Sequence, residues 1–165
     1  MIIKLREEIN SQYLKRDEYY PVFAVYFSSD IEFMIMVDEY SFPIAVNARE
    51  VEISDNRISK FWVYGPSKPT NEKNFPIILS YPEWAEDPFY YQHLVEGKGK
   101  AGELFRTYFD KIFFEFADKS LKETALKLKD NWYQCPFCAN AWEIEAKIEA
   151  VRCPSCHKVL RISNI

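Results

Sequence analysis

Glycine is scarce in this 165-residue chain, which has only four, and few positions can therefore take the left-handed backbone that tight loops require. Histidine is scarcer still, with two, which leaves few options for histidine-based acid–base work. The longest apolar run, Phe33 through Val37, is far too short to span a bilayer. Charge appears as early as Lys4, Arg6, Glu7 and Glu8, which argues against a signal peptide or membrane helix and for a cytoplasmic location. A basic surplus is also missing, since 21 Lys and Arg face 25 Asp and Glu for a formal net charge of −4. A dedicated DNA binder needs net basic character to neutralise phosphates, and this chain lacks it. No H-E-x-x-H, no G-x-x-x-x-G-K-[ST] and no G-x-S-x-G occurs.

What the chain does have is apolar and aromatic mass. Hydrophobic residues make up 48% and charged ones 28%, a globular balance far from that of disordered chains. Thirteen Phe, eleven Tyr and four Trp can build a sizeable core in residues 1–130. This region reads as α+β. Ile2, Leu5, Ile9 and Tyr13 recur at helical spacing and predict an amphipathic first helix. The period then changes to that of strands: Val22–Ser28 and Ile31–Asp38 flank Ser28-Ser29-Asp30 as an antiparallel hairpin, with shorter β-like runs at Pro43–Val46, Glu50–Ile53 and Lys60–Tyr64. A loop over Gly65–Asn74 closes the sheet region.

Helices are expected next. Asp87-Pro88 has the signature of an N-cap followed by a first helical residue. From about Ala101 to Ala117, Leu104, Phe105, Tyr108, Phe109, Ile112, Phe113 and Phe116 fall on about half the circumference of a helix. That stripe reads as core rather than as a ligand box, with Phe114 outside it. Ser120-Leu121-Lys122-Glu123 fits a capping box that would open a third helix.

All four cysteines sit near the C-terminal end as Cys135-Pro136-Phe137-Cys138 and Cys153-Pro154-Ser155-Cys156. The fourteen residues between the pairs, 139–152, suit two turns joined by a short hairpin, so that four sulfurs converge on one ion. Proline in each second position fixes φ and leaves the later N–H donors of each turn intact. Trp142, Ile144, Ala146 and Ile148 alternate with Glu143, Glu145, Lys147 and Glu149, which predicts a strand with one inward face, and Val159–Ile162 can return beside it. Redox-active thiols, disulfides and a rubredoxin-like iron are the competing readings of the same cysteines.

The segment 131–165 resembles a zinc ribbon, a module of two metal-binding turns and a small antiparallel sheet. The resemblance implies a structural Zn2+, one per chain, on Cys135, Cys138, Cys153 and Cys156. Many ribbons carry glycine after each pair, whereas this chain has Ala139-Asn140 and His157-Lys158 there. The expected organisation is thus an α+β domain over 1–130, an antiparallel sheet with flanking helices, followed by a small zinc ribbon over 131–165. The ribbon carries four basic against three acidic residues and the remainder 17 against 22. Four thiolates closed on one Zn2+ bring the ribbon to about −1.

Other motifs are weaker. Gly97-Lys98-Gly99-Lys100-Ala101-Gly102 matches G-x-G-x-x-G, but no strand precedes it and no βαβ alternation surrounds it, so it reads as a helix–helix loop, with an anion site on Lys98 and Lys100 as the alternative. His93 and His157 read as surface or core-edge residues, and Asp38-Glu39 and Glu83, Glu86 and Asp87 as solvated acids or caps. No catalytic or organic-cofactor residue is assigned. Protein interaction through an adaptor-like surface is the leading functional expectation. RNA or single-stranded nucleic-acid binding through the ribbon, using Tyr133, Phe137 and Trp142 with its basic residues, is the second. An enzyme with an unrecognised site in 1–130 is the third. No membrane contact is expected, and no oligomeric state is assigned.

Overall fold

A computed structural model describes residues 1–16, 18–37, 42–66, 76–116, 123–144, 150–156 and 158–162. The described chain is α+β, as its patterning predicts, and it divides into two compact units, Met1–Phe113 and Phe114–Ile165.

In the first unit, β2 (Tyr20–Phe27) is the organising strand. It pairs antiparallel with β3 (Ile31–Ile35) across the expected hairpin, where the Ser28 hydroxyl donates to the Asp30 carbonyl at 2.9 Å. Its first residues pair with β1 (Ile2–Leu5), and its last three with β7 (Ile77–Ser80). The sheet continues through β3 to β4 (Ile44–Asn47), through β1 to β5 (Val51–Asp55), and through β7 to β6 (Val63–Gly65). All these pairings are antiparallel.

The amphipathic first helix predicted from Ile2, Leu5, Ile9 and Tyr13 is not formed. Residues 2–5 are β1, a strand held between β2 and β5, with Ile2 and Ile3 both fully buried. Consecutive β-branched residues suit a strand covered on both faces, and the two neighbouring strands outweigh the helical spacing.

Three helices follow: α1 (Pro82–Glu86), α2 (Tyr90–Val95) and α3 (Ala101–Glu115). Pro82 opens α1, a start signal of the same type as the one expected at Asp87-Pro88. Asp87 does not cap from its predicted place. Its Oδ1 accepts the Phe89 N–H at 2.9 Å in a turn, and α2 begins only at Tyr90.

The predicted aromatic helix is α3, and its stripe is core. Phe23 of β2 is fully buried, stacked on Phe109 at 5.1 Å between ring centroids and edge-on to Phe105 at 5.6 Å. Trp84 of α1 meets Phe105 edge-on at 6.1 Å, and Tyr81 stacks on Tyr108 at 4.0 Å. Polar tips inside this cluster are satisfied: Trp84 Nε1 donates to Tyr26 Oη at 2.7 Å, Tyr81 Oη to Tyr90 Oη at 2.8 Å, and Tyr90 Oη to the Ala101 carbonyl at 2.7 Å. Burying an aromatic with its hydroxyl or indole N–H paired retains the hydrophobic gain without the cost of an orphaned donor.

The second unit is built on a five-stranded sheet in the order β10 (Ala141–Glu143), β9 (Trp132–Gln134), β8 (Thr124–Lys127), β12 (Val159–Ile162) and β11 (Ala150–Arg152). The β8–β12 pair is parallel and the others antiparallel. The third helix expected after Ser120 is contradicted where the chain is described: Thr124–Lys127 is β8, with β9 on one side and β12 on the other. The capping-box pattern is a local signal, and strand partners on both edges of β8 outweigh it. Residues 120–122 of the capping box lie outside the described residues, as do 67–74 of the predicted loop. Val159–Ile162 forms the predicted returning strand, antiparallel to β11.

Candidate metal centre

Side-chain alternation decides what the second sheet points at the cysteines. Residues on one face of a strand recur every second position, and here Ala125, Tyr133, Ile144, Leu160 and Ile162 are buried in a single cluster with Cys135 and Cys153. Trp142, Val151 and Cys156 pack against its edge. The sulfurs therefore meet above an apolar sheet face that is already closed to water on one side.

The two Cys-Pro-x-Cys turns are built alike. In the first, the Cys135 N–H donates to the Asn140 carbonyl at 2.9 Å and the Ala139 N–H to the Cys135 carbonyl at 3.0 Å. In the second, the Cys153 N–H donates to the Lys158 carbonyl at 2.8 Å. Sulfur acceptance follows the same symmetry, since Cys138 Sγ receives the Asn140 N–H and Cys156 Sγ the Lys158 N–H. In each turn the donor lies two residues beyond the second cysteine. Sequence reasoning had looked instead to the N–H groups inside each turn.

The geometry brings together all four cysteines that the spacing selects. Cys135 Sγ lies 3.6 Å from Cys156 Sγ, and Cys138 Sγ 3.6 Å from Cys153 Sγ. All four sulfurs fall within 4.8 Å of one another. A tetrahedral thiolate site with metal–sulfur bonds of about 2.3 Å has sulfur–sulfur edges of about 3.8 Å, so the cluster has the dimensions to close on one ion. None of the four cysteines is in a disulfide.

Without a cation among them the thiols are unequal. Cys138 is pulled down to about 7, first by the Asn140 N–H and then by the neighbouring thiols. Cys156 is pushed up to about 12: the Lys158 N–H favours its thiolate, but desolvation and the adjacent sulfurs outweigh it. One negative charge in the cluster thus makes the next harder to form, and a divalent cation is the natural way to remove that repulsion.

Exposure is uneven across the centre. Cys135 and Cys153 are buried, while Cys138 is exposed and Cys156 intermediate. Phe137, in the first turn, is half-exposed, and Lys158 Nζ sits 5.1 Å from its ring centroid, tying the two turns together across their tips.

The remaining sequence candidates fall elsewhere. Of the Gly97–Gly102 motif, Gly97 to Lys100 lie between α2 and α3, and Ala101 and Gly102 open α3; Gly97 is at φ 67° and Gly99 at φ 59°, the Gly97 N–H donates to the Leu94 carbonyl and the Lys98 N–H to the His93 carbonyl. It is a helix C-terminal turn rather than a strand-to-helix phosphate loop. His93 lies on α2 with Nδ1 3.1 Å from Asp87 Oδ2. Phe114 is partly buried. Asp38-Glu39 and His157 lie outside the described residues, and so do residues 145–149 of the predicted alternating strand. That strand's described part is its start, in β10 and the buried Ile144. No helix among the described residues is long and apolar enough to cross a membrane. Family models, curated proteins and solved structures offer no match to this chain.

Proposed function

We propose that the second unit is a zinc ribbon in which Cys135, Cys138, Cys153 and Cys156 hold one structural Zn2+, and that the chain is a non-catalytic protein-interaction or adaptor protein. Four thiolates suit zinc, and they leave no open position for water or substrate. Zinc in such a site supplies folding free energy to a small sheet that has little apolar mass of its own.

The observation that carries the interaction reading is the sheet's other face. The strand period that buries Ala125 and Tyr133 turns Leu126, Leu128 and Trp132 away from the cysteines, and these three side chains are 53%, 53% and 45% exposed. The Leu128 N–H donates to the Trp132 carbonyl at 2.9 Å, so the two residues stand directly opposite each other, and Leu126 is two residues along the same face. Directly opposed residues have Cβ atoms about 5 Å apart. The row is therefore contiguous, and an apolar row centred on a tryptophan is the kind of anchor that protein partners bury.

Elemental analysis of protein purified without chelator should find about one zinc per chain, as a closed four-cysteine site requires. Tagged full-length protein in a nuclease-treated extract should then recover a stoichiometric protein partner that is lost with Trp132→Ala while the zinc content is unchanged. A partner retained by that variant, or none at all, removes the support for the adaptor reading. A salt-dependent shift with a single-stranded ribo-oligonucleotide would put nucleic-acid binding in its place.

A further inference from the structure

The first unit contains a cavity of about 370 Å3 lined by parts of α1, α2 and the α2–α3 loop, near the lower end of the range of small-molecule sites. Glu83 of α1 and Asp87 just beyond it bring carboxylates, His93 of α2 an imidazole, and Lys98 and Lys100 of the loop two ammonium groups. Tyr90 and Leu104 contribute apolar surface. The sequence reads the acids as solvated caps and the lysines as a loop with an anion site as the alternative, because nothing in their spacing reveals that acids and lysines share a cavity.

How these charges are already engaged restricts what the cavity can take. Asp87 Oδ1 is held by the Phe89 N–H, and Oδ2 faces His93 Nδ1 at 3.1 Å, which orients the ring and leaves Nε2 available. Lys98 is held by Glu96 at 2.6 Å. Burial and then the nearby Glu83 carboxylate raise the Tyr108 phenol. Among the described residues, no ion pair joins Lys98 or Lys100 to Glu83 or Asp87, although all four line the same space. With histidine neutral, the two carboxylates and the two ammonium groups cancel. A simple anion would gain Lys100 and be repelled by Glu83, and a simple cation would meet the reverse. A ligand bearing both signs matches both.

The geometry points to a binding site for a small zwitterion of the α-amino-acid class. Its carboxylate meets Lys100, its ammonium meets Glu83 and the lone pair of His93 Nε2, and its side chain lies against Tyr90 and Leu104. The inference is independent of the zinc centre, which lies in the other unit.

The test uses isotope-labelled, zinc-loaded full-length protein titrated with L-leucine, L-alanine, acetate and methylammonium, followed by the amide resonances of Gly99 and Lys100 and the imidazole resonances of His93. Both amino acids should shift these resonances saturably. Acetate and methylammonium alone should bind about tenfold more weakly or worse, because each engages one half of the site. Lys100→Ala and Glu83→Gln, both at exposed positions and so compatible with an intact fold, should each weaken leucine binding about tenfold, the loss of one charge-assisted contact. Lys127→Ala in the second unit should leave the titration unchanged. Acetate binding as tightly as leucine would reduce the site to an anion pocket and overturn the proposal. So would the absence of saturable shifts, or shifts that persist undiminished in both cavity variants.

Discussion

Ala139 holds a left-handed backbone, φ 57°, at the end of the first cysteine turn. For a residue with a Cβ this region costs about 1–2 kcal/mol, and asparagine, which tolerates it better than alanine, stands next door at Asn140. The structure gives Asn140 a different task. Its N–H goes to Cys138 Sγ and its carbonyl accepts the Cys135 N–H, so it is fixed by hydrogen bonds and the adjacent alanine absorbs the strain. Ala139→Gly should therefore stabilise the zinc-loaded protein by about 0.5–1 kcal/mol, the relieved strain less the extra backbone entropy of glycine. A rise in the thermal midpoint of the second unit, read from its near-ultraviolet signal, would bear this out; an unchanged or lower midpoint would show that the alanine is not strained.

At the scale of elements, the first unit depends on how closely α1 approaches the sheet. Gly65, at the end of β6, lies against α1 so tightly that a Cβ there would clash with the Ala85 carbonyl oxygen and meet its carbon at 2.5 Å. Neither is the movable end of a side chain, so Gly65→Ala must displace either α1 or β6. Overpacking of this kind costs about 1–3 kcal/mol, and a lowered denaturant midpoint with an unchanged slope would measure it. The glycine's role was not legible in the sequence, which placed it only at the start of a loop, because the partner is a helix twenty residues further on. Helix α3 was legible because its signal is internal: an aromatic stripe at helical spacing finds its partner in any apolar sheet. Strands β1 and β8 were misread for the complementary reason. The helical spacing in β1 and the capping-box pattern ahead of β8 are real, but each segment is claimed by strands on both sides, and β2, β5 and β12 lie well outside the local window. The four cysteines were legible without structure because metal geometry constrains spacing directly, whereas the cavity beside α2 gathers residues with no mutual spacing at all.

For the whole molecule, the two units should fail at opposite ends of the pH scale. On the proposed zinc site only deprotonated sulfur binds, so acidification would protonate the ligands, release the metal and withdraw the folding free energy that the metal would supply to the second unit. Chelator at neutral pH should act on the same unit, with hydrogen exchange rising across residues 123–162 while residues 20–35 stay protected. Equal loss of protection in both would show that they fold as one. The first unit is limited from the alkaline side. Tyr26 and Tyr90 are pushed up to about 12, chiefly by burial, and burial likewise raises Tyr81. Each is a phenol whose folded pKa stands above its unfolded value near 10, so its contribution is complete below about 10 and is lost as the pH rises towards 12, where the unfolded chain ionises first and releases more protons. Phenolate absorbance during an alkaline titration should therefore show an exposed set of tyrosines ionising first, followed by a cooperative second set that appears together with loss of protection in β2 and α3. A single non-cooperative tyrosine titration with protection intact would show that the buried hydroxyl chain from Tyr81 through Tyr90 to Ala101 does not hold the first unit together.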